Sequence, residues 1–160
     1  MQITFVIGIP CSGKSTYIKE NFPNTKIIDL YDFQKDLKCC TPDTIWESYI
    51  KAKDAVLDCI KNNEDVVLEH TMLRAERRKF YIDAIKEISD APIDIVLINP
   101  LPEVIAKNSE KRNIHKSVES IEWELEILEF PEYEEGYRNI TIIDDQKLEI
   151  NKDIEEQEDR

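Results

Sequence analysis

Two rhythms of apolar residues alternate along this chain. Short apolar runs at residues 2–7 (QITFVI), 26–29 (KIID), 65–69 (DVVLE), 93–98 (IDIVLI) and 140–143 (ITII) are near-continuous, the signature of strands buried on both faces of a parallel sheet. The segments between them repeat apolar residues every three or four positions, which predicts helices over 14–22, about 31–38, 42–61, 73–89, 102–112 and 117–129. In the third helix Ile45, Tyr49, Ala52, Val56 and Ile60 form one stripe, flanked by Trp46, Ile50 and Leu57. Phe80, Tyr81, Ala84, Ile85 and Ile88 are the expected inward set of the fourth, and Ile121, Leu125 and Leu128 of the last. The boundaries carry their own chemistry. Thr41-Pro42 reads as an N-cap with proline at the first helical position, while Pro23, Asn62-Asn63, Pro92, Pro100 and Pro131 punctuate the ends.

Strands alternating with helices predict an α/β fold, a five-stranded parallel sheet with helices on both faces and right-handed crossovers. Functional groups are then expected in the loops that follow the strand C-termini. No repeat or flexible linker divides the chain. One domain is expected over 1–143, with a short helical lid at about 102–118, followed by an acidic tail over 144–160.

The first of those loops is Gly8-Ile9-Pro10-Cys11-Ser12-Gly13-Lys14-Ser15, which matches the G-x-x-x-x-G-K-[ST] phosphate loop between a strand and a helix. Gly8 and Gly13 let the backbone turn and approach phosphate oxygens closely. The N–H groups of Ser12 through Thr16 converge there, reinforced by the positive end of the helix dipole. Lys14 supplies a mobile cation for the β- and γ-phosphates, and Ser15 a hydroxyl for Mg²⁺, which takes hard oxygen ligands. The loop therefore predicts a P-loop nucleoside triphosphate hydrolase or kinase fold. Cys11 also lies in this loop, where a reactive thiol would put nucleotide binding under oxidative control, although a small side chain tolerated at the site is the simpler reading.

Charge narrows the partners. The net charge of −13 sits mainly in residues 117–160, which carry 4 basic and 16 acidic side chains, whereas residues 70–116 carry 9 and 7. Such a chain is not built for an extended nucleic-acid surface. A nucleotide and a hydroxyl-bearing acceptor, or a polynucleotide end gripped locally, fit better. No run approaches the roughly 18 apolar residues of a membrane span. Residues 1–9 lead straight into the phosphate loop, so no signal peptide is expected. Cys11, Cys39, Cys40 and Cys59 have neither metal-ligand nor disulfide-framework spacing, which fits a reducing cytoplasm.

Three further constellations fall on the same edge of the sheet. Asp32, with Asp29 as the alternative, is the candidate base that orients an acceptor hydroxyl and takes its proton. Glu69-His70-Thr71 ends the third strand, where Glu69 can hold a Mg²⁺-bound water and Thr71 can touch a phosphate or acceptor, or where the trio simply caps the next helix. Lys107, Lys111, Arg112, His115 and Lys116 form a basic stretch in the predicted lid, and a lid arginine stabilises the charge of a transferring phosphoryl group. Arg74, Arg77 and Arg78 read as i,i+4 partners of acidic neighbours, and Glu122–Glu135 as a solvated face.

GIPCSGKST, VVLEHTMLRAERRKFY and EVIAKNSEKRN followed by SIEWELEIL resemble the polynucleotide-kinase-like group of P-loop kinases, over most of residues 1–143. The resemblance implies that Lys14 and Ser15 bind phosphate and Mg²⁺, that ATP is the donor, and that Arg112, with one residue allowed as an insertion, stabilises the transition state. Glu69 and Thr71 fall where that group has an acidic residue and a threonine. Its base opens an Asp-Asp-Tyr-Arg-like stretch, and an ungapped match to Leu30-Tyr31-Asp32-Phe33-Gln34 puts Tyr31 at the base position and Gln34 where an arginine reads the acceptor's phosphate. Phosphoryl transfer to a hydroxyl is therefore expected, with three acceptor readings: a polynucleotide 5′-hydroxyl, a small metabolite or nucleotide, or none in a nucleotide-binding regulatory module.

Overall fold

A computed structural model describes residues 1–35, 37 and 40–144 of the chain. The end of the predicted 31–38 helix, Cys39 and all of the acidic tail after Asp144 lie outside the described residues. Five strands, β1 (Ile3–Ile7), β2 (Lys26–Asp29), β3 (Val66–His70), β4 (Ile93–Ile98) and β5 (Asn139–Ile143), form one parallel sheet in the order β2-β3-β1-β4-β5. Helices α1 (Lys14–Asn21), α2 (Leu30–Gln34), α3 (Pro42–Lys61), α4 (Ala75–Ile88), α5 (Pro102–Lys111) and α6 (Val118–Ile127) connect them. The α/β architecture expected from the apolar runs is the one observed.

Every residue of β1, β3 and β4 is buried, which is why these segments read as unbroken apolar runs. Alternate residues of each strand then serve opposite faces. Ile3, Phe5 and Ile7 pack with Leu68, Ile95 and Leu97 against Ala52 and Val56 of α3 and Tyr81 and Ile85 of α4. Val6, Val67, Val96 and Ile98 face the other way, onto Ile18 of α1. A third cluster joins the loop after β1 to α5 and α6 through Ile9, Cys11, Ile105 and Ile121.

Local signals set most helix ends. Thr41 and Thr44 cap each other at the start of α3, with Pro42 at its first position. Helix α2 is shorter than predicted, closing at Gln34 where the Leu37 N–H returns to the Gln34 carbonyl (3.0 Å). The buried face of α4 is Arg78, Tyr81, Ile82 and Ile85, turned from the predicted face by roughly a quarter of a revolution, so that Ile88 is exposed. The cause is Arg78. Its guanidinium is fully buried and makes paired bonds to Glu135 (Nε–Oε1 2.7 Å, Nη2–Oε2 3.1 Å) and a third to the Met72 carbonyl (2.9 Å). Arg78 is thus not a surface i,i+4 partner, and Glu135 is not part of a solvated face. Tyr137 completes the group, its hydroxyl donating to Glu135 Oε1 (3.1 Å) while its ring meets Phe5 edge-on.

Candidate active site

The loop from Gly8 to Gly13 turns at the C-terminal end of β1. Gly8 (φ 155°) and Gly13 (φ 106°) lie at positive φ, and so does Cys11 (φ 68°). At Gly8 a side chain is excluded outright. A Cβ there would stand 2.6 Å from the Ile98 carbonyl oxygen and 2.8 Å from Ser12 Oγ. The loop is therefore drawn against the end of β4 and opens directly into α1, whose first-turn N–H groups have no intrahelical acceptors. That is the backbone form of an anion cradle.

Lys14 folds back over the loop and donates to the carbonyls of Gly8 (2.8 Å) and Ile9 (3.1 Å). Burial pushes its ammonium down to about pKa 8, opposed by the nearby Glu69 and Asp29 carboxylates, which pull it upward. Ser15 Oγ donates to Glu69 Oε1 (2.7 Å). Burial raises the Glu69 carboxyl above its ordinary range, and the Ser15 hydrogen bond works against that rise. Asp29 is the register partner of Glu69 across the parallel β2–β3 pair, so the two carboxylates leave the sheet at one level and on one side. The Ser15–Glu69 pair consists only of oxygen donors, and one of them carries the negative charge a hard divalent cation needs. These residues fit Mg²⁺.

A cavity of about 590 Å³ opens over this cluster. Its floor is Cys11, Gly13, Lys14 and Ser15, its carboxylates are Asp29 and Glu69, and Arg112 closes it from the end of α5. Leu30, Tyr31, Gln34 and Tyr49 form the opposite wall, with His70 and Thr71 between. Among the predicted residues, Gly8 and Ser12 of the loop and Thr16 in the first turn of α1 do not line the cavity. Asp32 is not brought to the cavity. Its side chain is 59% exposed and pairs with Lys35 (3.7 Å). Leu30 and Phe33 pack α2 onto the α3 core, which leaves Asp32 on the outer side and Asp29 at the strand end facing Lys14. Of the basic lid residues, Arg112 lines the cavity, whereas Lys116 pairs with Glu124 of α6.

The roles of His70 and Tyr49 were not legible from local pattern. His70 is buried between the rings of Tyr49 and Tyr81 (centroids 4.9 and 5.4 Å), and burial pushes it down to about pKa 3, helped by Lys14 and Arg77. It is therefore neutral, and because Nδ1 accepts from the Met72 N–H (3.1 Å), its proton resides on Nε2. Met72 itself stands at φ 38°, a strained position directly after Thr71. Tyr49 fell on the apolar stripe of α3 and looked like core. One side of its ring instead borders the cavity, and Arg77 stacks 5.6 Å from its centroid.

Residues 3–129 match the profile of a family described as the AAA domain. A search of curated proteins finds no match. Among solved structures, the chain is similar to one in the Pnkp1/Rnl/Hen1 RNA repair complex, at TM-score 0.66 and 18% identity, covering 79% of this chain and 43% of that one. A gluconokinase from Sinorhizobium meliloti 1021 is similar at TM-score 0.63 and 17% identity, covering 89% and 82%. A sugar kinase from Janibacter sp. HTCC2649 is similar at 0.60 and 15%, covering 90% and 85%. At these identities the likeness is one of fold, and the likeness to polynucleotide-kinase-like P-loop kinases expected from the motifs is present at that level.

Proposed function

The chain belongs to this AAA domain family, and from that premise we propose that it is an ATP-dependent kinase moving the γ-phosphoryl group to a hydroxyl acceptor. The observation that carries the proposal is the convergence of Lys14, Ser15, Glu69, Asp29 and Arg112 on one cavity above the phosphate loop. The loop amides and Lys14 bind the phosphates of the nucleotide. Ser15 and Glu69 would hold Mg²⁺, which would supply neutralisation of the nucleotide's phosphate charge.

Asp29 accepts the proton of the acceptor hydroxyl as the new O–P bond forms and the bond to the β-phosphate oxygen breaks, releasing ADP. Arg112 stabilises the charge spread over the transferring group from the far side of the cavity. Asp29 replaces Asp32 in this role because it lines the cavity and lies close enough to Lys14 to raise its pKa, whereas Asp32 faces solvent. Residues 1–143 form the catalytic domain, and about 102–118 its lid.

The acceptor wall favours a small neutral alcohol over a polynucleotide end. Leu30, Tyr31, Gln34 and Tyr49 carry no charge, and His70 stays neutral at pH 7. Two tyrosine rings suit stacking against a sugar or a base. A screen with γ-labelled ATP against nucleosides, sugars and 5′-hydroxyl oligonucleotides tests the whole reading. Label transfer to at least one hydroxyl, lost in Lys14→Ala, is the expected result. Nucleotide binding without transfer to any acceptor would instead mark a regulatory module.

A further inference from the structure

Helix α5 reaches back to the phosphate loop. Asn108 Nδ2 donates to the Cys11 carbonyl at 3.0 Å, across 97 positions of sequence. The accepting carbonyl belongs to the non-glycine residue of the loop at positive φ, a conformation that persists only where its surroundings hold it. Ile105 and Ile121 pack on the Ile9 and Cys11 side chains around the same point, so the contact is both polar and apolar.

Asn108 and Arg112 are four residues apart, one helical turn, and therefore lie on the same side of α5. The turn that follows is pinned by Ser109, which is fully buried. Its hydroxyl donates to the Ala106 carbonyl (2.7 Å) and accepts from the Lys116 N–H (2.9 Å). Its carbonyl receives the N–H groups of Arg112 (3.2 Å) and Ile114 (2.9 Å). The backbone at Arg112 is thus held relative to α5, and the place of α5 relative to the nucleotide loop is held at Asn108.

We infer that Asn108 is a positioning residue, which registers the lid on the phosphate loop through the Cys11 carbonyl and so delivers Arg112 to the cavity. Asn108 does not line the cavity and acts only through the groups it holds. The catalytic half of this inference rests on the kinase reading above; the lid–loop attachment does not. Coupled this way, a nucleotide that sets the loop's shape also sets the arginine that acts on it.

Two readouts test it. In kinetics, Asn108→Ala is expected to lower kcat about fivefold to tenfold, the worth of one net hydrogen bond, with a smaller change in KM for ATP. Asn108→Asp, equal in size but with an acceptor-only carboxylate against the Cys11 carbonyl, should lose at least as much, and Asn108→Gln should recover part of the loss. In an Arg112→Ala background, Asn108→Ala should cost less than about twofold more, because the group it positions is gone. Multiplicative losses would overturn the positioning role.

The second readout needs no catalysis. Cys11 is shielded by Ile105 and Ile121, so its alkylation rate, read by peptide mass spectrometry, reports docking of the lid. Asn108→Ala and Asn108→Asp should raise that rate about fivefold to tenfold, with thermal unfolding measured alongside to show that both variants are folded. An unchanged rate would overturn the inference. Should wild-type protein transfer no phosphoryl group at all, the kinase reading falls, and the alkylation result alone decides the lid–loop attachment.

Discussion

Nucleotide binding should take up a proton at mildly alkaline pH, and the group that accepts it is Lys14. In the free protein its ammonium titrates at about 8, because burial beside the loop carbonyls outweighs the attraction of Glu69 and Asp29. Phosphate oxygens placed against it would return it to at least its ordinary 10.5. At pH 9 about nine-tenths of free protein then carries a neutral lysine that must be protonated on binding, against about one-tenth at pH 7. Uptake should therefore rise from about 0.1 to about 0.9 proton per nucleotide, and affinity should fall about fivefold between pH 8 and 9.

Calorimetry of MgATP binding in two buffers of different ionisation enthalpy, at pH 7 and 9, measures this directly. The apparent enthalpy should depend on the buffer at pH 9 and hardly at pH 7. Lys14→Arg, whose side chain stays charged, should lose the pH 9 buffer dependence. A buffer-independent enthalpy at both pH values, or proton release at pH 9, would refute the placement of Lys14 as the buried phosphate partner.

Other outcomes follow from the same geometry. Gly8→Ala should weaken MgATP binding at least about tenfold, since a Cβ 2.6 Å from the Ile98 carbonyl forces the loop off β4; unchanged affinity would show the cradle is not built on that contact. Arg78→Met should cost about 3–5 kcal/mol in urea unfolding, because it strands the Glu135 carboxylate; a loss below about 1 kcal/mol would contradict it. Burial pushes the carboxyl of Glu135 up, but the Arg78 hydrogen bond and the bonds beside it hold it below its ordinary 4.5. Its stabilisation is thus complete above about pH 4.5 and lost as pH falls through the lower folded value, so Glu135→Gln should flatten the acid limb of a stability–pH profile. An unaltered acid limb would place the proton uptake elsewhere.

Strands were legible because a doubly covered sheet leaves little room for polar residues in β1, β3 or β4, and the phosphate loop because its chemistry admits few side chains. Arg78 was not. Its partner lies 57 residues away, and nothing local distinguishes a buried arginine from the exposed Arg74 and Arg77 beside it. The choice between Asp29 and Asp32 depends on which side of α2 meets α3, a matter of packing by Leu30 and Phe33 that short-range pattern does not encode. Tyr49 fell on the apolar stripe of α3 and is partly buried against the core, and His70 read as one of a polar cluster at a strand end and is buried, yet both border the cavity. Asn108 gave no signal of its role, because its acceptor, a backbone carbonyl, has no sequence signature.

The account stands on the turn after β1 being shaped for a triphosphate. Equilibrium dialysis of labelled ATP with magnesium, on wild-type protein and on Lys14→Ala, measures that without reference to any acceptor. Saturable binding at one site, weakened by about 10–150-fold in the variant, is the predicted result for loss of a charged hydrogen-bond donor. No saturable binding at millimolar ATP, or equal binding by both proteins, would contradict it.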